Sequence, residues 1–252
     1  MPTGSRPRHR RRSPVLRRAE LPLWLELPLL LLVAGCLAVL VRTFVVQAFF
    51  IPSASMEQTL REGDRVLVDK VVYGLREPAR GEVVVFHGTG RWASRSGDGA
   101  ADFPARLGHT LGDLAGEERP GRRDFIKRVV GVSGDRVSCC DPQGRVLVNG
   151  RPIDERYVFE DSSLSSPPDP AVCGSRRFTE VVVPPGQLWV MGDHRSRSSD
   201  ARCRGPVPVA DVVGRAVVVV WPRNRVAGLP VPPDWRQWDL AGPAAVPARP
   251  PT

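Results

Sequence analysis

The hydroxyls of Ser53 and Ser55, the amine of Lys127 in a valine-rich run and the polar stretch Asp193–Arg202 are where this chain could carry chemistry. A serine hydroxyl attacks a carbonyl only when a neighbouring base takes its proton. Neutral lysine can do so; arginine cannot, because it stays charged in proteins. Of the 36 lysines and arginines only Lys70 and Lys127 are lysine, which confines a lysine-based mechanism to two candidates. If Phe125–Val130 is a strand, Lys127 shares a face with Phe125 and Val129. An ammonium among such side chains is poorly solvated, so its pKa falls toward the range where the neutral amine exists. Lys70 follows a similar pattern through Val68 and Val72, and the pattern alone does not choose between them. The stretch from Met191 to Arg202 reads either as a solvated turn or as hydroxyls and a carboxylate–guanidinium pair that support a base. His194 beside Asp193 also leaves open a Ser-His-Asp arrangement with Ser55.

These groups need elements to position them. Pro52 disfavours helix at Ile51, so the chain turns just before Ser53. Upstream, the 15 residues Leu27–Val41 carry no charge, short of the roughly 20 that cross a bilayer. Leu21–Leu25 before this run and Thr43–Ile51 after it supply the missing length, with Glu26 and Arg42 near its ends. Seven arginines between Arg6 and Arg18, against Glu20 alone, account for six of the nine net positive charges. A basic run beside an apolar segment is a topology signal that keeps the N-terminus cytoplasmic and the rest outside. A competing reading is a cleaved export signal with Ser53-Ala54-Ser55 as its cleavage site. Either way the bulk of the chain is extracytoplasmic, and no nucleic-acid partner is expected.

Beyond Ile51, short runs rich in valine, isoleucine and phenylalanine are bounded by glycine, proline and aspartate. They predict strands at Arg65–Val68, Glu82–Phe86, Phe125–Val130, Val146–Val148, Phe178–Val183, Leu188–Met191 and Val212–Trp221. The expected fold is mainly β: one transmembrane helix followed by an extracytoplasmic antiparallel β-sheet domain. The expected divisions are a basic tail at 1–20, an anchor at 21–48, a β domain at 49–221 with a long loop at 88–122, and a Pro-rich tail at 222–252. Of the five cysteines, Cys36 falls in the apolar segment and acts as a small apolar residue. An oxidising exterior permits a disulfide, first of all between Cys173 and either Cys139 or Cys140, with connectivity left open. The adjacency of Cys139 and Cys140, with no second spaced pair, speaks against a metal site.

Taken in order, these segments resemble the type I signal peptidases, a Ser-Lys serine peptidase family, over roughly Arg42 to Val207. The segment IPSASMEQTL resembles the family's nucleophile box and implies Ser55 as nucleophile. GDRVLVDK resembles the structural box that follows, and DFIKRVVGVSGD resembles the lysine box, which selects Lys127 over Lys70. GDHRSRSSDAR resembles the last box, with Ser198 in the place of the hydroxyl that orients the lysine, supported by Asp200 and Arg202. The resemblance implies an oxyanion hole from the Ser55 N–H and the Ser53 hydroxyl, and pocket residues Ile51, Leu60 and Ile126. It implies no metal or cofactor. The implied partners are exported preproteins with small residues before the cut, membrane lipid and the secretion machinery. Departures are Ala54 for a frequent glycine, Gln58 for a frequent proline, and His194, Ser196 and Arg197 within a commoner Asn-Arg-Asp-Asn run. Ala201 replaces a serine, and Cys203-Arg204 stands where an aromatic is more usual. The rival readings are a Ser-Lys peptidase with another task, a catalytically silent membrane-tethered binding protein on the same fold, and a secreted basic protein.

Overall fold

Valine-rich runs interrupted by glycine and proline have one low-energy solution, short paired strands joined by turns. In the computed structural model, which describes residues 23–93, 124–159, 161–165, 173, 175–233 and 235, that is what forms. Helix α1 (Leu23–Phe44) is followed by β1 (Val46–Phe50), a 3-10 turn at Ala54–Met56, β2 (Arg65–Asp69) and the short helix α2 (Val72–Leu75). Next come β3 (Val83–His87), β4 (Asp124–Gly131), β5 (Arg136–Cys139), β6 (Val146–Val148), β7 (Arg151–Pro152), β8 (Phe178–Val182) and β9 (Gln187–Met191). The one-turn helix α3 (Ala201–Arg204) precedes β10 (Val207–Pro208), β11 (Val212–Trp221) and β12 (Ala227–Gly228).

The strands form two antiparallel sheets. The larger runs β1-β2-β11-β3-β4-β9-β10 with β12 on β11, and the smaller runs β7-β6-β5-β8. All seven expected strands are present, and β6 and β11 have the expected bounds. β1, β5 and the two-residue strands β7, β10 and β12 have no counterpart among the expected strands. Val46–Phe50 counts as apolar anchor by composition, yet it pairs residue for residue with Arg65–Asp69. Most of the loop expected at 88–122 and the C-terminal tail lie outside the described residues.

Two buried clusters meet along β4. Val129 packs with Val84, Phe86, Trp92 and Trp189 in one. Ile126 packs with Ile51, Met56, Leu60, Val83 and Val85 in the other. The turn bearing Ser55 is therefore anchored by buried neighbours, Ile51 before it and Met56 and Leu60 after it.

The chain divides into two units, one ending at Val39 and one beginning at Leu40. Helix α1 holds Pro28, and its described leucines, such as Leu27, Leu31 and Leu32, are exposed. Among the described residues no helix is long and apolar enough to cross a membrane; the side chains described without a break run only over residues 26–39.

Cysteine pairing differs from the expectation. Cys173 bonds Cys203 on α3, with Cα atoms 5.2 Å apart, and Cys139 bonds its neighbour Cys140. Sequence spacing carries no information on which distant loop the sheet brings to α3. The Cys173–Cys203 bridge spans 30 residues, so chain-entropy reasoning gives it about 3 kcal/mol or more. Replacing both cysteines by serine is expected to lower the melting temperature by roughly 5–10 °C, read by thermal unfolding in detergent.

Candidate active site

β4 carries the centre of the site because its alternation sends consecutive long side chains to different partners. Lys127 points to the turn at Ala54–Met56, where its Nζ donates to Ser55 Oγ at 2.5 Å. Both residues are buried, Lys127 at 3% and Ser55 at 8% exposure. Burial is the main force on the Lys127 amine, and the Arg204 and Arg202 guanidiniums act in the same direction. Asp200 and Asp193 oppose them, and the balance brings the pKa from 10.5 down to about 8. Ser53 Oγ lies 3.4 Å from Ser55 Oγ, at the exposed side.

Arg128, next along the strand, is equally buried and forks onto Asp193, Nε to Oδ1 at 2.9 Å and Nη2 to Oδ2 at 2.6 Å. It also donates to Gly81 O at 2.8 Å, and its guanidinium stacks 4.1 Å from the centroid of the Tyr157 ring. Thr59 Oγ1 donates to Asp193 Oδ2 at 2.6 Å, tying the nucleophile loop to the same carboxylate. Asp193 is thus committed to Arg128 and Thr59, while His194 Nδ1 faces Ala54 O at 3.2 Å. This is not a Ser-His-Asp arrangement.

The polar turn after β9 packs against the Ser55 loop through Gly192. A Cβ on Gly192 would collide with the Ser198 side chain and the Ser55 carbonyl, so only glycine permits this approach. Asp200 caps α3 and accepts from Gly192 N–H at 3.0 Å and from Arg202 Nε at 2.9 Å. Burial pushes the Asp200 carboxyl up, but Arg202 and the Gly192 N–H outweigh it and hold it below the usual range. Arg202 also donates to the carbonyls of Arg195 and Ser175, at 2.6 and 3.1 Å. Ser198 is buried on this turn, but its Oγ makes no hydrogen bond to Lys127.

Of the residues singled out in the sequence, Ser53, Ser55 and Lys127 come together, and Asp200 and Arg202 pair beside them. Ile51, Leu60 and Ile126 share one buried cluster. Lys70 lies apart, its Nζ 3.5 Å from Gln47 Oε1. Sequence reasoning passed over Arg128, Thr59 and Gly192. The signal for Arg128 is present in Asp124–Gly131: a strand that buries both faces must find a carboxylate for an arginine on either one. A cavity of about 880 Å³ opens on the Arg128 side, lined by Gln58, Thr59, Tyr157 and the segment Asn224–Pro233. Among the described residues no group of His, Cys, Asp and Glu could hold a metal ion.

The buried amine has a measurable consequence for stability. Between pH 8 and 10.5 the unfolded chain keeps the Lys127 proton and the folded chain has lost it. Stability therefore rises with pH across that window, and the cost of burying the ammonium is constant below it. Lys127→Met is expected to melt above wild type at pH 7, with the gap closing as pH rises from 8 to 10.5.

The chain matches the signal peptidase (peptidase S26) family over residues 24–221. It is 36% identical over 217 residues to signal peptidase I of Mycobacterium tuberculosis, covering 79% of this chain and 73% of that one. It is 36% identical over 234 residues to a probable signal peptidase I of Mycobacterium leprae, covering 82% and 79%. It is 37% identical over 203 residues to a probable signal peptidase I-2 of Synechocystis, covering 81% and 76%. A solved signal peptidase I of Enterococcus faecalis is 21% identical with a TM-score of 0.33, covering 56% of this chain and 97% of that one, too distant a superposition to carry weight. On the family match and the relatives' identity and coverage, the chain belongs to the peptidase S26 family of signal peptidases and is a serine endopeptidase that removes signal peptides from preproteins.

Proposed function

We propose that signal-peptide removal runs through a Ser55–Lys127 dyad. The observation that carries this is the 2.5 Å approach of Lys127 Nζ to Ser55 Oγ inside a desolvated site. Neutral Lys127 takes the Oγ proton as Ser55 attacks the scissile carbonyl. The resulting oxyanion is held by the Ser55 N–H and the Ser53 hydroxyl. The tetrahedral centre collapses, the C–N bond breaks, and the Lys127 ammonium protonates the leaving amine. The signal peptide stays as an ester on Ser55. Lys127 then deprotonates a water, whose attack frees the carboxylate and returns the serine. Asp200 with Arg202 holds the turn at Gly192, which carries Ser198 in the place of the hydroxyl that orients the lysine in the resembled family. Ile51, Leu60 and Ile126 form the floor of the pocket for the small residues before the cut.

The apolar segment from residue 21 to Phe44, the end of α1, anchors the enzyme in the plasma membrane, with 1–20 cytoplasmic and the sheet from Val46 onward outside, so the anchor is shorter than the 21–48 read from composition. The apolar, arginine-flanked composition and the exposed leucines of α1 support this. At the ends of their strands, Phe50 of β1 and Trp221 of β11 both register with Arg65 and are about half exposed, a composition suited to a lipid surface. Preproteins delivered by the secretion machinery meet the site there.

Cleavage in detergent of a preprotein with an Ala-x-Ala site tests the reading. Wild type cuts after the second alanine and Ser55→Ala does not. Leucine at either alanine lowers the rate at least tenfold. Cleavage that persists in Ser55→Ala overturns the assignment.

A further inference from the structure

His194 grips the nucleophile turn by two hydrogen bonds. It follows β9 and is 1% exposed. Its backbone N–H donates to Ser55 O at 3.2 Å. Its ring Nδ1 lies 3.2 Å from Ala54 O and 3.2 Å from Glu57 Oε2. Both of these oxygens are acceptors, so Nδ1 carries the hydrogen. The Phe159 ring meets the imidazole nearly edge-on with centroids 5.1 Å apart. Phe159 N–H donates to Asp193 O at 2.9 Å, which wedges the ring in place.

The significance lies in peptide planarity. The Ala54 carbonyl and the Ser55 N–H belong to one rigid plane, so whatever holds that oxygen also aims that N–H. The Ser55 carbonyl begins the next plane. His194 therefore grips both peptide units around the nucleophile. The intraloop bond from Glu57 N–H to Ala54 O at 3.0 Å closes the turn but does not tie it to the sheet.

We infer that His194 is a positioning residue for the oxyanion hole, fixing the plane whose N–H receives the developing charge at Ser55. This rests on the proposed role of Ser55, and it assigns His194 no proton transfer.

Chemistry of reach makes the test specific. Asparagine Nδ2 stands the same number of bonds from Cα as histidine Nδ1, whereas glutamine Nε2 stands one bond farther. Leucine matches asparagine in size and donates nothing. His194→Asn is expected to keep kcat within about fivefold of wild type. His194→Leu and His194→Gln lose about 30-fold or more in kcat with KM within threefold, the scale of a misplaced catalytic group. Exchange of the Glu57 amide, which donates to Ala54 O, is expected without substrate to accelerate at least tenfold in His194→Leu and to stay protected in His194→Asn. This second readout needs no activity, so it stands even if Ser55 proves not to be the nucleophile. Equal kcat in the Leu and Asn variants, or unchanged exchange in His194→Leu, overturns the inference.

Discussion

Lys127→Arg is expected to be as inactive as Lys127→Ala, about a thousandfold or more below wild type in kcat. Arginine keeps the charge and much of the length, so a purely electrostatic or structural role would survive the change. A base role would not, because a guanidinium does not release its proton in the accessible pH range. Wild type should show kcat/KM rising with pH to about 8 and levelling there, as the amine titrates. The steady-state rates of the three proteins, each first checked for a native melt, decide the matter. Substantial cleavage by Lys127→Arg would remove lysine as the base. A histidine mechanism would then have to be reconsidered.

The second large effect concerns stability. Arg128→Leu leaves the Asp193 carboxylate, which is 0% exposed, without its bidentate partner. An uncompensated buried charge of this kind costs about 3–5 kcal/mol. For a chain of this size that is roughly a 10 °C fall in melting temperature. Asp193→Leu alone strands the guanidinium in the same way, although stacking on Tyr157 and the Gly81 carbonyl still hold it. The double variant removes both charges and should recover most of the loss, giving a coupling of about 2 kcal/mol or more. Additive losses would mean that the pair contributes little beyond the space each side chain fills. Because Thr59 Oγ1 donates to the same carboxylate, Arg128→Leu should also lower activity at temperatures where the protein remains folded.

The proposed reacting pair was legible for a chemical reason. A serine hydroxyl needs a base, the chain has two lysines, and the boxes around Ser55 and Lys127 resemble one family. The strands were legible because hydrophobic runs between turn residues are a local signal, which is why β6 and β11 have the expected bounds. β1 was not, because an edge strand next to an apolar helix has the composition of that helix. Its strand character comes from pairing with β2, a partner some twenty residues away.

Side-chain partnerships across the sheet were out of reach. The tie from Cys173 to Cys203, the fork of Arg128 onto Asp193 and the hold of His194 on Ala54 O join segments tens of residues apart in sequence. Local propensity fixes which residues are extended and which turn, because those preferences are set within a few bonds. Sequence by itself therefore determined the class of chemistry, the β character and the two residues on which catalysis is proposed to depend. Only the tertiary structure decided that Lys127 would be desolvated enough to reach about 8, that Gly192 would let two turns touch, and that His194 Nδ1 would meet Ala54 O. These depend on distances between strands brought together by sheet topology, which no local pattern encodes.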